Sequence, residues 1–504
     1  MLWVKMRRAL RPATVALLIG VAFCGMVLFS SLESVDYKVR RLRPAARLKS
    51  KQELQEEMMR NVDLFNGVGL EFLPNFKNPC WYDRQGASAK RDNLFASLLK
   101  PASAAALVSH QHYSKRSYVL RCLPYFFLIG QPKCATTDVF QRINMHPDVA
   151  GTLLKGPHWW TRRRYGQPYS PRPITFLEYL DLFTTAAVDI EGHWVNSSIP
   201  GVPFHQKITG DGSTSTLWDG SPTMNYMYST LNKNSTKKVL QLFFNKREGF
   251  SRQIRSSETE SVTEDDARQN QSRDFEGCCF SNATSKGDYT DVERTLYRQL
   301  FSIQPGVVLP VTTADIIHAV LPKSRIIAVI REPASRLYSS YAFFTKKPDI
   351  SPENFDIAVQ SSIQKWELCT SRYSERTCAY NKTLQYDLEV RLYNGMYNIF
   401  LRDWLNVFPE DQVLVIRMED YHRDITATMA SIYAHLGLRG LSEDEENLVN
   451  MAPVQNKNRK KGNVGKMLNK TAEVLKRFYE PYNKDLVALL GDAKFFWEDY
   501  YAKL

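Results

Sequence analysis

Apolar and polar positions along this chain follow two kinds of pattern. Three short runs are apolar almost without interruption: YFFLIG at 125–130, SRIIAVI at 324–330 and DQVLVIRME at 411–419. A strand with one wet face alternates, so continuous runs of this length predict strands covered on both faces, as in a parallel sheet. Other segments repeat apolar residues at the three-to-four spacing of a helix: 136–146, 333–344, 390–408 and 427–438. GDGSTSTLWDG at 210–220 reads as the end of a further strand. Strands alternating with helices predict a three-layer α/β domain around a central parallel sheet.

Three stretches fall outside that alternation. Residues 12–32 hold 21 positions without a charge, close to the ~20 residues that cross a bilayer as a helix. The apolar region of a signal peptide is shorter, and no small-residue cleavage pattern follows this one. The reading is a cytosolic tail over 1–12 and an uncleaved transmembrane anchor over 13–32. Residues 33–115 read as a charged stem and linker, and 116–504 as the folded body. The polar segment 232–306 reads as an insertion within that body.

Basic residues flank the span on both sides, with Lys5, Arg7, Arg8 and Arg11 before it and a longer series from Lys38 after it. The positive-inside rule alone would place the body in the cytosol. Six Asn-x-Ser/Thr sequons point the other way: Asn196, Asn234, Asn270, Asn282, Asn381 and Asn469 all follow the span. The first four charges also lie nearer the membrane. The expectation is therefore a single-pass type II protein with a lumenal body.

The chain of 504 residues is 43% hydrophobic, enough for a large core, and carries a formal charge of +13. That balance favours an anionic partner: nucleic acid, a membrane surface or an acidic polymer. Of eight cysteines, Cys24 falls in the span and Cys134 in a loop considered below. The six others permit fifteen pairings in an oxidising compartment, and Cys369 with Cys378 is the expected local pair. No Cys-x-x-Cys pair occurs and the nine histidines lack ligand spacing, so no metal is expected.

Candidate chemistry sits at the strand ends. GQPKCATT, from Gly130 to Thr137, follows one predicted strand and precedes a helix. Helix N-terminal amides favour an anion there, with Lys133 adding charge and Thr136 and Thr137 adding hydroxyls. The Walker order of Gly-Lys-Ser/Thr is absent, which argues against an ATP or GTP loop. REPASRLYSSY repeats the plan after the second strand, with Arg331 at its end and Ser339 in the following helix. Two anion-seeking strand ends suggest one ligand with separated phosphates. NKNRKKGNVGKM at 456–467 adds a basic, glycine-containing loop.

GQPKCATT and REPASRLYSSY together resemble the two nucleotide-binding signatures of the sulfotransferases that use 3′-phosphoadenosine 5′-phosphosulfate (PAPS). Longer stretches, including PHWWTRRRYG, EYLDLF, GDGSTSTLWD and LRDWLNVF, resemble the carbohydrate branch of that family that 6-O-sulfates N-acetylgalactosamine 4-sulfate. The resemblance implies the P-loop-like sulfotransferase fold. It implies a Golgi enzyme that moves sulfonate from PAPS to a sulfated glycosaminoglycan of the chondroitin/dermatan type. It assigns the 5′-phosphosulfate to Gly130, Lys133, Cys134, Ala135, Thr136 and Thr137, and the 3′-phosphate to Arg331 and Ser339. It assigns the nucleotide-closing loop to Arg459, Lys461 and Gly462. Under it the polyanionic partner is a glycan rather than nucleic acid, no metal is required, and a homodimer stays open.

One departure bears on catalysis. Relatives carry a glutamate base three positions before the first aromatic of this motif, where the chain has Gly156. His158 is then the candidate base beside Lys133 as the charge-neutralising residue, since imidazole titrates near neutrality. The alternatives are another acid, or a catalytically impaired glycan-binding relative. Ala135 also stands where many relatives have glycine. Trp159, Arg162, Arg163 and Ser215 are the candidate acceptor-binding residues.

Overall fold

The computed structural model describes residues 71–84, 93–112, 118–166, 172–196, 201–220, 312–345, 350–455 and 464–501. The expected tail, the span at 13–32 and the insertion at 232–306 lie outside them. No helix among the described residues is long and apolar enough to cross a membrane.

The three apolar runs form β3 (Phe126–Gly130), β7 (Arg325–Ile330) and β8 (Val413–Arg417). They lie in one four-stranded sheet of order β6-β3-β7-β8, whose edge strand β6 is Gly210–Asp211. Every neighbouring pair is parallel, with Phe126 opposite Arg325 and Ile326 opposite Val413. The sheet is covered on both faces, which is why its strands show no polar alternation. Ile327 and Val329 pack in one buried cluster with Val139, Phe140 and Ile432. Ile326, Ala328 and Ile330, equally buried, alternate to the other face.

The predicted helices follow their strands. α2 (Thr136–Ile143) leaves β3, α6 (Pro333–Phe344) leaves β7, and α12 (Ile425–His435) follows β8 after the short α11 (Met418–Arg423). Within 390–408, predicted as one helix, only α10 (Tyr397–Leu405) is α-helical; Leu392–Gly395 is a 3-10 turn. Gly395 admits the Tyr479 ring so closely that a Cβ there would stand 2.9 Å from it. Tyr479 belongs to the long C-terminal helix α14 (Asn469–Leu490). Around these lie α3 (Phe176–Asp181), α4 (Thr184–Gly192), α5 (Thr313–Val320), α7 (Pro352–Thr370), α8 (Glu375–Tyr380), α9 (Lys382–Asp387), α13 (Glu443–Met451) and the antiparallel pair of two-residue strands β4 (Val195–Asn196) and β5 (Pro203–Phe204).

The stem expected over 33–115 is corrected from residue 71 onward. β1 (Cys80–Arg84) pairs antiparallel with β2 (Tyr118–Cys122), and the Cys80–Cys122 disulfide joins the pair. Asn78 ties this unit to the sheet by donating to the Leu123 carbonyl at 2.8 Å and accepting from the Thr209 N–H at 2.9 Å. Residues 101–112, expected as linker, form helix α1 (Pro101–His112). The expected Cys369–Cys378 bond is present. Cys278 and Cys279 lie outside the described residues. Asn196 and Asn469 are exposed, whereas Asn381 is half-buried and caps α9 through the Leu384 N–H; Asn234, Asn270 and Asn282 lie outside the described residues.

Candidate active site

The carboxyl edge of a parallel sheet is where such folds place ligands, and the sequence motifs collect there. β3 ends at Gly130, where a Cβ would lie 2.9 Å from that of Leu217, so only glycine lets the chain pass. Lys133 and Ala135 then adopt left-handed φ values of 71° and 58°. Such conformations cost non-glycine residues energy and mark sites the fold over-determines. They turn the chain so that α2 starts at Ala135 with no side-chain cap on its first amides. Uncapped N-terminal amides are the anion-binding feature of such a loop.

Not every loop residue faces the ligand position. Cys134, named with the loop as a cofactor contact, offers it no exposed side chain. Its side chain is wholly buried in the core, and burial pushes the thiol up to about 12. Its N–H donates to the Gln131 carbonyl at 3.2 Å. The Lys133 ammonium lies 3.6 Å from the centroid of the Phe343 ring of α6, over its face. Thr137 is half-buried, and its hydroxyl accepts from Lys155 Nζ at 3.1 Å; Thr136 lies at 3.5 Å from the same nitrogen. Lys155 was not singled out from the sequence. The only signal was a lysine directly preceding Gly156.

The second strand end is built differently. Arg331 follows β7 and is half-buried; Ser339 sits two turns along α6. Neither side chain hydrogen-bonds another described residue. The amides that open α6 are already capped, because the Glu332 carboxylate accepts from the Ala334 and Ser335 N–H groups at 2.9 and 2.6 Å. An anion here must be met by the guanidinium and the hydroxyl rather than by helix amides. Arg459, Lys461 and Gly462 lie outside the described residues, but both flanks of their loop are fixed. The Gln455 N–H donates to Asp138 of α2 at 2.9 Å, and Tyr338 of α6 donates to the Gly465 carbonyl at 3.2 Å. The loop thus leaves beside one phosphate-type motif and returns beside the other.

His158 stands at the β6 side of the same edge. Its φ is 50°, and its N–H donates to Ser213 Oγ at 2.8 Å. Nδ1 lies 2.7 Å from Ser215 Oγ, which in turn lies 2.7 Å from Thr161 Oγ1. Held this way, Nε2 comes to 3.3 Å from where a Cβ on Gly156 would be. The imidazole therefore borders the space a side chain at 156 would enter. Burial, then the charges of Arg162, Arg163 and Lys155, hold its pKa well below 6.5, so the ring is neutral at physiological pH. Asp211 anchors the loop beneath it, accepting from Tyr179 Oη and the Ser213 N–H at 2.8 Å each. Its burial pushes its pKa to about 6.

The remaining acceptor-binding candidates are all buried. Trp159 is 0% exposed, stacks on Tyr179 at 4.8 Å and donates to the Ile174 carbonyl, so it has no open face for a sugar. Arg162 is buried and forms an ion pair with Asp219, which Lys382 approaches at 3.7 Å. Burial alone would raise the Asp219 pKa; Lys382 and Arg162 together hold it low instead. Arg163 is buried with its guanidinium 5.9 Å from the Phe95 ring. Ser215 is buried, with its Oγ held against His158 Nδ1. Among the described residues, no group of His, Cys, Asp and Glu could hold a metal ion.

A sulfotransferase domain signature matches residues 230–478. The human protein named carbohydrate sulfotransferase 15 is 30% identical over 465 residues, covering 88% of this chain and 69% of its own length. The mouse protein of that name matches to the same extent. A squid protein of that name, from Nototodarus sloanii, is 37% identical over 139 residues, 27% of this chain and 87% of its own. Among solved structures, a sulfotransferase from Alicyclobacillus acidocaldarius aligns with a TM-score of 0.37 and 15% identity over 73% of this chain and 96% of that one. With 30% identity to the human protein over 88% of its length and a sulfotransferase domain match, the chain belongs to the carbohydrate sulfotransferases of the carbohydrate sulfotransferase 15 family.

Proposed function

We propose that this protein transfers a sulfonate group from PAPS to a sulfated glycosaminoglycan, at the 6-hydroxyl of N-acetylgalactosamine 4-sulfate in chondroitin or dermatan sulfate. The observation that carries this reading is the neutral His158, whose Nε2 borders Gly156. It supplies a base where relatives place a glutamate. The β3–α2 loop, from Gly130 through Lys133 and Ala135 to Thr136 and Thr137, would hold the 5′-phosphosulfate. Arg331 and Ser339 would hold the 3′-phosphate, and Arg459, Lys461 and Gly462 would close over the nucleotide.

Catalysis is then positioning plus charge stabilisation. His158 Nε2 takes the proton of the acceptor hydroxyl while that oxygen bonds to sulfur. The bond from sulfur to the phosphate oxygen breaks, and Lys133 offsets the charge left on the phosphate. The products are the sulfated glycan, 3′,5′-ADP and a proton on His158. The reading includes a Golgi lumen and a type II anchor over 13–32. Two disulfides and the exposed sequons at Asn196 and Asn469 support an oxidising compartment.

The test is transfer of labelled sulfonate from PAPS to chondroitin 4-sulfate, with unsulfated chondroitin and heparan sulfate as competing acceptors. Label on the 6-position of N-acetylgalactosamine 4-sulfate is expected. Retained 3′,5′-ADP binding with no transfer to any glycan would instead identify a binding protein and overturn the enzymatic reading.

A further inference from the structure

We propose that Ser215 and Thr161 are positioning residues for His158: they keep the ring proton on Nδ1 and so leave the Nε2 lone pair open to the acceptor hydroxyl. This rests on the reading of His158 as the base. The groups come from two stretches, PHWWT at 157–161 and GDGSTS at 210–215. The fold joins them behind the imidazole. The chain turns back at His158, whose carbonyl accepts from the Arg162 and Arg163 N–H groups at 3.0 and 3.1 Å. That turn brings Thr161 to the serine that the ring meets. Ser215 is itself fixed in the loop after β6, where its carbonyl accepts from the Asp219 N–H at 2.9 Å. Ser213 of the same loop takes the His158 N–H at 2.8 Å, so the residue is held at its main chain and at its ring. Ser215 is 2% and Thr161 0% exposed, which shuts both hydroxyls off from bulk water and leaves them to orient each other.

Proton counting makes this a choice between two states. A neutral imidazole carries one N–H, and its other nitrogen accepts. Ser215 Oγ lies 2.7 Å from both Nδ1 and Thr161 Oγ1, and it has one proton to give. If that proton goes to Nδ1, the ring carries its own on Nε2 and cannot take another there. If it goes to Thr161, Ser215 accepts from Nδ1–H, and Nε2 presents its lone pair beside Gly156. Only the second state suits a base. It is also preorganised: when Nε2 gains the acceptor's proton, the bond from Nδ1–H to Ser215 becomes charge-assisted and strengthens without either hydroxyl turning. No proton travels along the relay. Thr161 never touches the ring; it acts by drawing the Ser215 proton away from it.

The test uses full-length protein carrying isotope-labelled histidine, read by nitrogen NMR, with Ser215→Ala, Thr161→Val, Thr161→Ser and His158→Ala. The wild-type signal that disappears in His158→Ala is expected to show Nδ1 protonated and Nε2 bare. Ser215→Ala should move that signal toward Nε2–H. It should also lower kcat for chondroitin 4-sulfate by about 10- to 100-fold, the range of a hydrogen bond to a charged group. Thr161→Val should lower kcat by about three- to tenfold, and Thr161→Ser should restore it to within about twofold. KM and 3′,5′-ADP affinity should stay within about twofold throughout, which separates loss of positioning from loss of fold. Unchanged kcat in Ser215→Ala, or equal losses in Thr161→Val and Thr161→Ser, would overturn the relay and leave His158 as the base. A wild-type ring protonated on Nε2, read without any variant of the relay, would overturn the relay and the base together, as would full activity in His158→Ala.

Discussion

Replacing His158 by alanine is the most direct probe of the chemistry. It removes the Nε2 that borders Gly156 and the 2.7 Å contact between Nδ1 and Ser215 Oγ. Ser215 keeps Thr161 as a partner at 2.7 Å, so the structural cost should stay near ~1 kcal/mol. Loss of a general base typically costs 10²- to 10⁴-fold, or about 3–5 kcal/mol of transition-state stabilisation. The expected result is a fall of that size in kcat for chondroitin 4-sulfate with 3′,5′-ADP affinity within about twofold. The wild-type pH profile supplies a second reading. Because burial and three neighbouring cations hold the ring neutral, kcat/KM should stay flat as pH falls through 6.5, with the acid limb well below it. His158→Ala retaining more than a tenth of wild-type kcat, or a wild-type acid limb centred at or above pH 6.5, would refute the argument.

Three further outcomes follow from the packing. Arg162→Ala leaves Asp219 buried with Lys382 at 3.7 Å, and breaking such a pair costs roughly 3–5 kcal/mol; a large drop in Tm is expected, where a glycan contact would alter only the acceptor KM. The chain-entropy relation gives about 4 kcal/mol for Cys80–Cys122 and about 2.6 for Cys369–Cys378, from separations of 42 and 9; Cys80→Ser with Cys122→Ser should therefore lower Tm more than the other double replacement. Asp211, raised to about 6 from 3.8, keeps its proton in the folded chain while the unfolded chain ionises, so it lowers stability as pH rises across that window. Asp211→Asn should remove this slope, which is worth at most roughly 3 kcal/mol, and urea unfolding at pH 4 and 7 would measure it.

The sheet was legible because its strands are covered on both faces and so appear as unbroken apolar runs. The phosphate-type loops were legible because their residues are contiguous. What stayed hidden depends on partners distant in the chain. Trp159 and Arg162 sit in an aromatic and basic run that looks like a sugar-binding surface. The structure turns them inward because Tyr179 and Asp219, the latter 57 residues away, stack on one and neutralise the other. Lys155 meets Thr137, 18 residues earlier, only because β6 and β3 are neighbours. β1 escaped notice because its pairing and its disulfide are made with a segment beyond an intervening helix.

The capping of α6 by Glu332 makes the two ends of the proposed donor site unequal in how they can change. Main-chain amides survive any substitution except proline, so part of the recognition proposed for the loop after β3 is written into the backbone trace. At the far end the proposed recognition depends on Arg331 and Ser339, each replaceable by one codon change. Altered preference for the nucleotide, in evolution or in the laboratory, should therefore arise from that end first.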